Sequence, residues 1–507
     1  MTGESRLPCP SVCIHGHFYQ PPRENPWLGT IERQASAEPY HDWNERITDE
    51  CYRPNTAARI LDQLGNQIAA SNNYAHISFD FGPTLLSWLE RAAPDVYAAV
   101  LAADRVARGG MAQAYNHMIL PLANARDRAT QVIWGSRDFA RRFGREPEGM
   151  WLPETAVDLD SLEDLAAAGI RFTILAPRQA RRVRRFGSSR WQDVSAGGVD
   201  PHFAYQVRLP SERHITVFFY DAGIAQAVAF EGLLNDGCAF AERLASAFDG
   251  RRREPQLVNI ATDGESYGHH HRFGEMALAA ALRFLEERPD VLVTNYRAFL
   301  AAHPPVREVE IVENSSWSCV HGVERWRADC GCNSGGFPQW NQAWRAPLRS
   351  ALDWLRDRLA PAYQQAASKL LWNPWAARND YIDILLDRSP EAAARFLQQH
   401  ARHDLLPQEL DLLWGLLEMQ RYAMFMYTSC GWFFDDIAGI EASQTIAYAA
   451  RAVELANQCL GLNLEAGLLR RLALAPGNTG ELPDGRAVYS AQVRRRPAVS
   501  VPSVAPA

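Results

Sequence analysis

The sequence predicts a parallel β-sheet with crossover helices, closed into a barrel and followed by a helical domain. Two observations carry this. Short apolar runs and amphipathic stretches alternate roughly seven times between residues 11 and 320, the pattern of repeated strand–helix–strand units. From about residue 340 the pattern changes: WRAPLRSALDWLRDRL, EAAARFLQQH, QELDLLWGLLEMQRYAMFMYT and TIAYAARAVELANQCL all keep a helical period. A third observation points to function. Reactive side chains gather where the apolar runs stop, and the carboxyl ends of parallel strands are where ligands and catalytic groups collect.

Taken in order, SVCIHGHFY (11–19) reads as a first strand ending in His15 and His17, whose H-x-H spacing turns both imidazoles to one face. Those histidines suit a metal site, a clamp on a polyol or a structural role. YQPPRENPWLG (19–29) is a proline-broken loop, residues 55–70 read as a helix, and YAHISFDFG (74–82) as a second strand with Asp80 near its exit. MAQAYNHMILPL (111–122) is strand-like and carries Gln113, Asn116 and His117, and residues 125–143 form an amphipathic helix. GMWLPETAVD (149–158) then delivers Trp151 and Glu154, the latter at a strand end or in the first turn of the next helix. IRFTILAP and HITVFFYDAGIAQAVAFE continue the alternation, and the second brings Asp221 to its end; RQARRVRRFG (178–187) between them reads as a solvated loop. In NIATDGESYGHHHRFGE (259–275) a buried strand opens into Asp263, Glu265 and three histidines. If the strand continues, Asp263 and Glu265 share one face; otherwise the cluster is a polar cap on the following helix. TSCGWFFDDIAGIE (428–441) is aromatic for a link between helices, and at least one of its three consecutive aromatics is expected to be exposed.

Composition narrows the function. The chain has 507 residues, 47% hydrophobic and 22% charged, ordinary for a soluble globular protein. A net charge of −7 leaves no basic footprint for nucleic acid and no lysine-rich face for an anionic membrane. No apolar run of about 18 residues and no leader pattern appear, so neither a membrane span nor a signal peptide is expected. Nine cysteines, mostly scattered, fit reduced thiols in the cytoplasm. The 15 tryptophans and 16 tyrosines exceed what a core needs, and flat rings suit sugar faces. Nucleotide cradles and the G-x-S-x-G elbow are missing. Two carboxylates from different strands, Glu154 and Asp263, are the minimum apparatus for glycoside hydrolysis.

HGHFYQPP, YNHMILPL, WLPETAVD, ATDGESYGHHH and SSWSCVHGVERW resemble, in this order, the five ordered regions of glycoside hydrolase family 57. The resemblance spans roughly residues 8–490. It implies an incomplete (β/α)7 barrel, an all-helical domain completing the cleft, and retaining chemistry on α-glucans as in α-amylases, 4-α-glucanotransferases and branching enzymes. It implies Glu154 as nucleophile and Asp263 as general acid/base. Substrate contacts are implied for His15, His17, His117, Trp151, Asp221, Glu265, His269, Trp317 and Trp432. No cofactor and no metal are expected. Domain bounds follow as 8–335 for the barrel, 336–475 for the helices and 476–507 for an irregular, disordered tail. The chain is most similar to a subgroup with an uncharacterised C-terminal part, whose members run longer, so a truncated or frame-shifted end is expected. Gly109 stands where many members have a glutamate, and Cys430-Gly431-Trp432 where they have serine–aspartate–tryptophan, so contacts there are expected to differ.

Two rival classes fit parts of the same pattern. A metal-dependent amidohydrolase also ends its first strand in H-x-H and a late strand in aspartate, but its intervening lysine and paired histidines are missing. A catalytically degenerate glucan-binding protein would keep the barrel without turnover. Cys319, Cys330 and Cys332 with His321 could hold zinc, but C-x10-C-x-C fits no standard finger and C-x-C is tight, so packed thiols without metal are expected.

Overall fold

The computed structural model describes residues 10–62 and 64–493. The absence of a leader and the nature of the chain after 493 lie outside them. The chain divides into two compact units, one of residues 10–20, 33–113 and 142–317, the other of 21–32, 114–141 and 318–493.

The first unit is built on seven parallel strands: β1 (Ser11–Phe18), β2 (Ser78–Phe81), β3 (Gly110–Gln113), β4 (Met150–Trp151), β5 (Phe172–Leu175), β6 (His214–Phe219) and β7 (Leu257–Asp263). They run in the order β7-β1-β2-β3-β4. Gly149 then bridges to Phe172, and β5 pairs with β6. Between β6 and β7 the ladder gives way to a seam, crossed by the Asp221 N–H to the Asn259 carbonyl (2.7 Å) and by the Asn259 amide to the Phe219 carbonyl (3.1 Å). The barrel is thus incomplete, as the resemblance implied. All eight residues of β1 are buried, as expected for a strand flanked on both edges and covered on both faces. Val12, Ile14, Phe79, Phe81, Val258 and Ile260 form the core with Leu85, Leu89 and Leu278 from the surrounding helices. Each such side chain contributes about 1.5–3 kcal/mol on burial.

Three stretches depart from the sequence reading. Residues 55–70 were expected to be helical, but Ala58–Leu61 and Gln67–Ser71 form an antiparallel hairpin. Burial there alternates with period two, Ala58 and Ile60 in and Arg59 and Leu61 out. Asp62 ties the turn by accepting from the Leu64 and Asn66 N–H groups. The arginine-rich piece is a strand, Ala180–Arg185, in which Arg182 and Arg184 pair with Glu310 and Glu308 across an antiparallel ladder. The expected irregular tail starts with ordered chain: Gly485–Val488 is helical, Val488 and Val493 are buried, and the Tyr489 hydroxyl donates to Glu465 at 2.9 Å.

The second unit gathers the helices Arg345–Ala367, Pro374–Leu386, Pro390–His400, Pro407–Phe425, Ile440–Leu460 and Glu465–Leu472. It also takes in two stretches that the sequence assigned to the barrel. In the proline-broken loop, whose prolines offer no N–H, the Pro22 and Pro26 carbonyls accept from the Tyr448 and Tyr422 hydroxyls at 3.0 Å each. The 114–141 stretch anchors through Asp127, which pairs with the buried Arg378 at 2.7 Å, and through the Trp134 indole, which donates to the Asn379 carbonyl at 3.0 Å. Among the described residues no helix is long and apolar enough to cross a membrane.

The aromatic link between the last long helices folds as a short helix, Cys430–Phe433. Trp432 is 1% exposed, lies parallel to Tyr427 and donates its indole N–H to the Arg345 carbonyl at 3.2 Å. The exposed aromatic of the three is Phe434, at 42%. These contacts make Trp432 a packing residue rather than a sugar platform. Trp432→Ala should therefore cost about 3–5 kcal/mol of stability. Calorimetry checks this; a melting temperature close to that of the parent protein would return Trp432 to a surface role.

Candidate active site

Strand register assembles the site. His15 lies opposite Ala261 of β7 and Ser78 of β2, and His17 opposite Asp263 and Asp80. Both imidazoles therefore leave the sheet at the level where β7 delivers its carboxylate. Asp80, fully buried, takes both: its Oδ1 is 3.1 Å from His15 Nε2 and its Oδ2 2.9 Å from His17 Nδ1. His15 Nδ1 is 3.1 Å from the Ser78 hydroxyl, so both its ring nitrogens are engaged. Trp151 stacks on both rings, with centroids 5.1 and 4.8 Å away and planes within 19°. Trp317 meets Trp151 edge-on at 5.0 Å.

Glu154 is not part of a helix. The helix behind it starts at Leu159, capped by Asp158, while Glu154 occupies a tight turn with φ 58° and ψ 22°. Thr155 follows with φ 50°. Two successive non-glycine residues in the left-handed region need an external brace. Gln179, fully buried, supplies it: its amide donates to the Thr155 carbonyl (2.8 Å) and the Ser315 carbonyl (3.1 Å). Its oxygen accepts from the Ala176 N–H (2.8 Å) and the Thr155 hydroxyl (2.9 Å). Trp317 adds two bonds, from its backbone N–H to the Glu154 carbonyl and from its indole N–H to Glu154 Oε2, both 3.1 Å.

Asp263 ends β7 and stays open to solvent, although protein atoms crowd its other sides. That crowding raises its carboxyl to about 6; His17 opposes the shift, while the charges of Glu154 and Asp80 reinforce it. Burial pulls His17 towards neutrality, but Asp80 and then Asp263 and Glu265 outweigh it and raise the ring to about 9. Burial wins at His15, whose pKa is lowered despite Asp80.

The other residues expected at the site divide. The strand stops at Asp263 and turns through Gly264–Ser266, so Glu265 does not share its face. A Cβ on Gly264 would fall 2.2 Å from the Phe18 ring, so the turn lies flat against that side chain. Glu265 instead accepts from the Tyr19 N–H (3.0 Å) and the Tyr52 hydroxyl (2.5 Å), and burial with Asp263 nearby lifts it to about 7. Asp221 caps the helix Ala222–Phe230 by accepting from the Ile224 N–H at 3.0 Å. His269 pairs with Glu50. His117 belongs to the second unit, where it is held in the left-handed region with Nδ1 2.6 Å from the Ser429 hydroxyl. The sequence reading noted Asp80 and Gln113 at strand ends without giving either a role in the site, and it missed Gln179. Gln113 sits beside Trp151 in register, buried; neither its amide nor the Trp151 indole N–H has a hydrogen-bond partner among the described residues. Asp80 carried the signal of an acid at the exit of a strand; Gln179 carries no comparable one.

Solved structures with the same fold include a maltose-forming amylase from Pyrococcus sp. ST04 (14% identity, TM-score 0.66, 91% of this chain and 82% of that one). Others are a branching enzyme from Pyrococcus horikoshii (14%, 0.54, 97% and 99%) and an α-amylase from Thermotoga maritima (12%, 0.53, 95% and 99%). No curated protein resembles the sequence closely enough to match it. A domain of unknown function, DUF3536, matches residues 340–506, and glycosyl hydrolase family 57 matches residues 18–312, more than half of the chain. The chain belongs to glycosyl hydrolase family 57.

Proposed function

We propose that this protein cleaves or transfers α-glucosidic bonds of glucans with retention, Glu154 acting as nucleophile and Asp263 as general acid/base. The observation that carries the reading is the pairing at the strand ends: the crowding around Asp263, reinforced by the charge of Glu154, raises its carboxyl to about 6. Glu154 itself is aimed by a braced, strained turn. The amylases and the branching enzyme among the structural neighbours agree with an α-glucan substrate. The competing amidohydrolase reading needs His15 as a ligand, and both of its ring nitrogens are already engaged.

In the first step the Glu154 carboxylate attacks the anomeric carbon while Asp263 gives its proton to the leaving glycosidic oxygen. The resulting aspartate sits beside a protonated His17, which steadies the new charge. In the second step Asp263 takes a proton from water, for hydrolysis, or from a sugar hydroxyl, for transfer.

Incubation with amylose and with glycogen, followed by product chromatography, tests the activity; unchanged glucan in both would remove it. Glu154→Ala and Asp263→Asn should each abolish turnover, with azide partly restoring the first. Asp263→Asn should be no less stable than the parent at pH 8. A carboxyl whose folded pKa is raised destabilises the fold once pH exceeds its unfolded value, so removing the charge removes a penalty.

Because Asp263 must be protonated to act, kcat/KM on a maltooligosaccharide should fall as pH rises through about 6. A profile flat from about pH 5 to 8 would exclude Asp263 as the proton donor. Gln179→Ala should lower kcat on the order of 10²-fold while KM changes little, since it frees the Glu154 turn without touching sugar. An unchanged kcat would show that the turn holds without its brace.

A further inference from the structure

We propose that Cys319, His321, Cys330 and Cys332 hold a structural zinc ion. The sequence argument against a metal concerned spacing, and the fold overrides it. One donor atom from each residue lies within 4.8 Å of all the others. Cys319 Sγ is 3.9 Å from Cys330 Sγ and 3.8 Å from Cys332 Sγ, and Cys332 Sγ is 3.6 Å from His321 Nδ1. A tetrahedron with Zn–S of about 2.3 Å has S···S edges of about 3.8 Å. With Zn–N of about 2.0–2.1 Å its S···N edges are about 3.5 Å. Three edges therefore match those of a Cys3His zinc site.

The surroundings fit the charge. Zinc with three thiolates and a neutral imidazole carries one net negative charge, and binding releases the three thiol protons. Arg345, fully buried, places Nη1 4.0 Å from Cys330 Sγ and donates from the same nitrogen to the Cys332 carbonyl at 2.8 Å. It thus supplies both the compensating cation and the outer hydrogen bond that metal ligands require. The site also has structural work to do. From Ser318 to Trp344 the regular structure is one short turn, Glu324–Trp326, and a loop of that length needs an internal tie. Cys319 is buried and Cys330 and Cys332 are half-buried, so the ion would be partly screened from solvent.

The test is metal analysis of the full-length protein produced with zinc and purified without chelator. About one zinc per chain is expected, falling more than tenfold in Cys330→Ser and Cys332→Ser and unchanged in Cys238→Ser, whose thiol is exposed elsewhere. Should the serine variants not fold, the parent protein decides the matter. Cys319, Cys330 and Cys332 should resist alkylation when zinc-loaded and react after chelation, as read by peptide mass spectrometry. Protein that contains no zinc and takes up none on titration would overturn the proposal. So would equal alkylation with and without chelator, or a disulfide among the three cysteines.

Discussion

The site depends on one buried carboxylate shared by two imidazoles. Asp80 binds His15 and His17 from the neighbouring strand, and a charge in that position is tolerated only while both partners remain. Its effect reaches further than the pair. By keeping His17 cationic it sets the field in which Asp263 titrates, and by fixing both rings it gives Trp151 a flat surface to stack on. Since β1 is paired on both sides, any change in Asp80 is felt by β7 and β2 together. The carboxylate is at once a structural clamp and the first layer of the electrostatics.

Glu154 presents the complementary problem, since the nucleophile proposed here must project from the wall without mobility. A left-handed pair of non-glycine residues turns the side chain out of the strand direction, and the cost of that backbone is met by Gln179 and Trp317. The same tryptophan touches Glu154 and packs against Trp151. One aromatic thus joins the two halves of the site.

Much of this was legible in the sequence, and the reason is physical. Alternation of short buried strands with crossover helices is a long-range pattern that survives local noise, so the barrel and its helical partner could be read off directly. His15, His17, Glu154 and Asp263 were visible because each stands where an apolar run stops. What could not be read depends on where the chain turns. Glu265 lies two residues beyond Asp263 and would share its face on a strand, yet the turn at Gly264 sends it to Tyr52. Asp221 looked like a sugar contact and serves a helix N-terminus; Trp432 looked like a platform and is sealed into the packing. Gln179 braces the Glu154 turn from a position whose sequence context is a loop, and residue type alone gives no sign of it. The hairpin at 58–71 was misread because four-residue strands offer too few positions to separate a period of two from one of 3.6.

The second unit draws on segments far apart in the chain: the Pro22 carbonyl meets the Tyr448 hydroxyl across 426 positions. On a ribosome the last of the seven parallel strands has been made by residue 263, whereas the loop at 21–32 must wait for helices synthesised long afterwards. Closing so long a loop adds little to the equilibrium cost, which grows only logarithmically with length, but it delays the contact. In the meantime the apolar faces of the 114–141 segment have no partner, and a nascent chain in that condition is a natural client for chaperones. The architecture therefore separates two clocks: the parallel strands can form early, and the helical unit can close only once the last of its helices has been made.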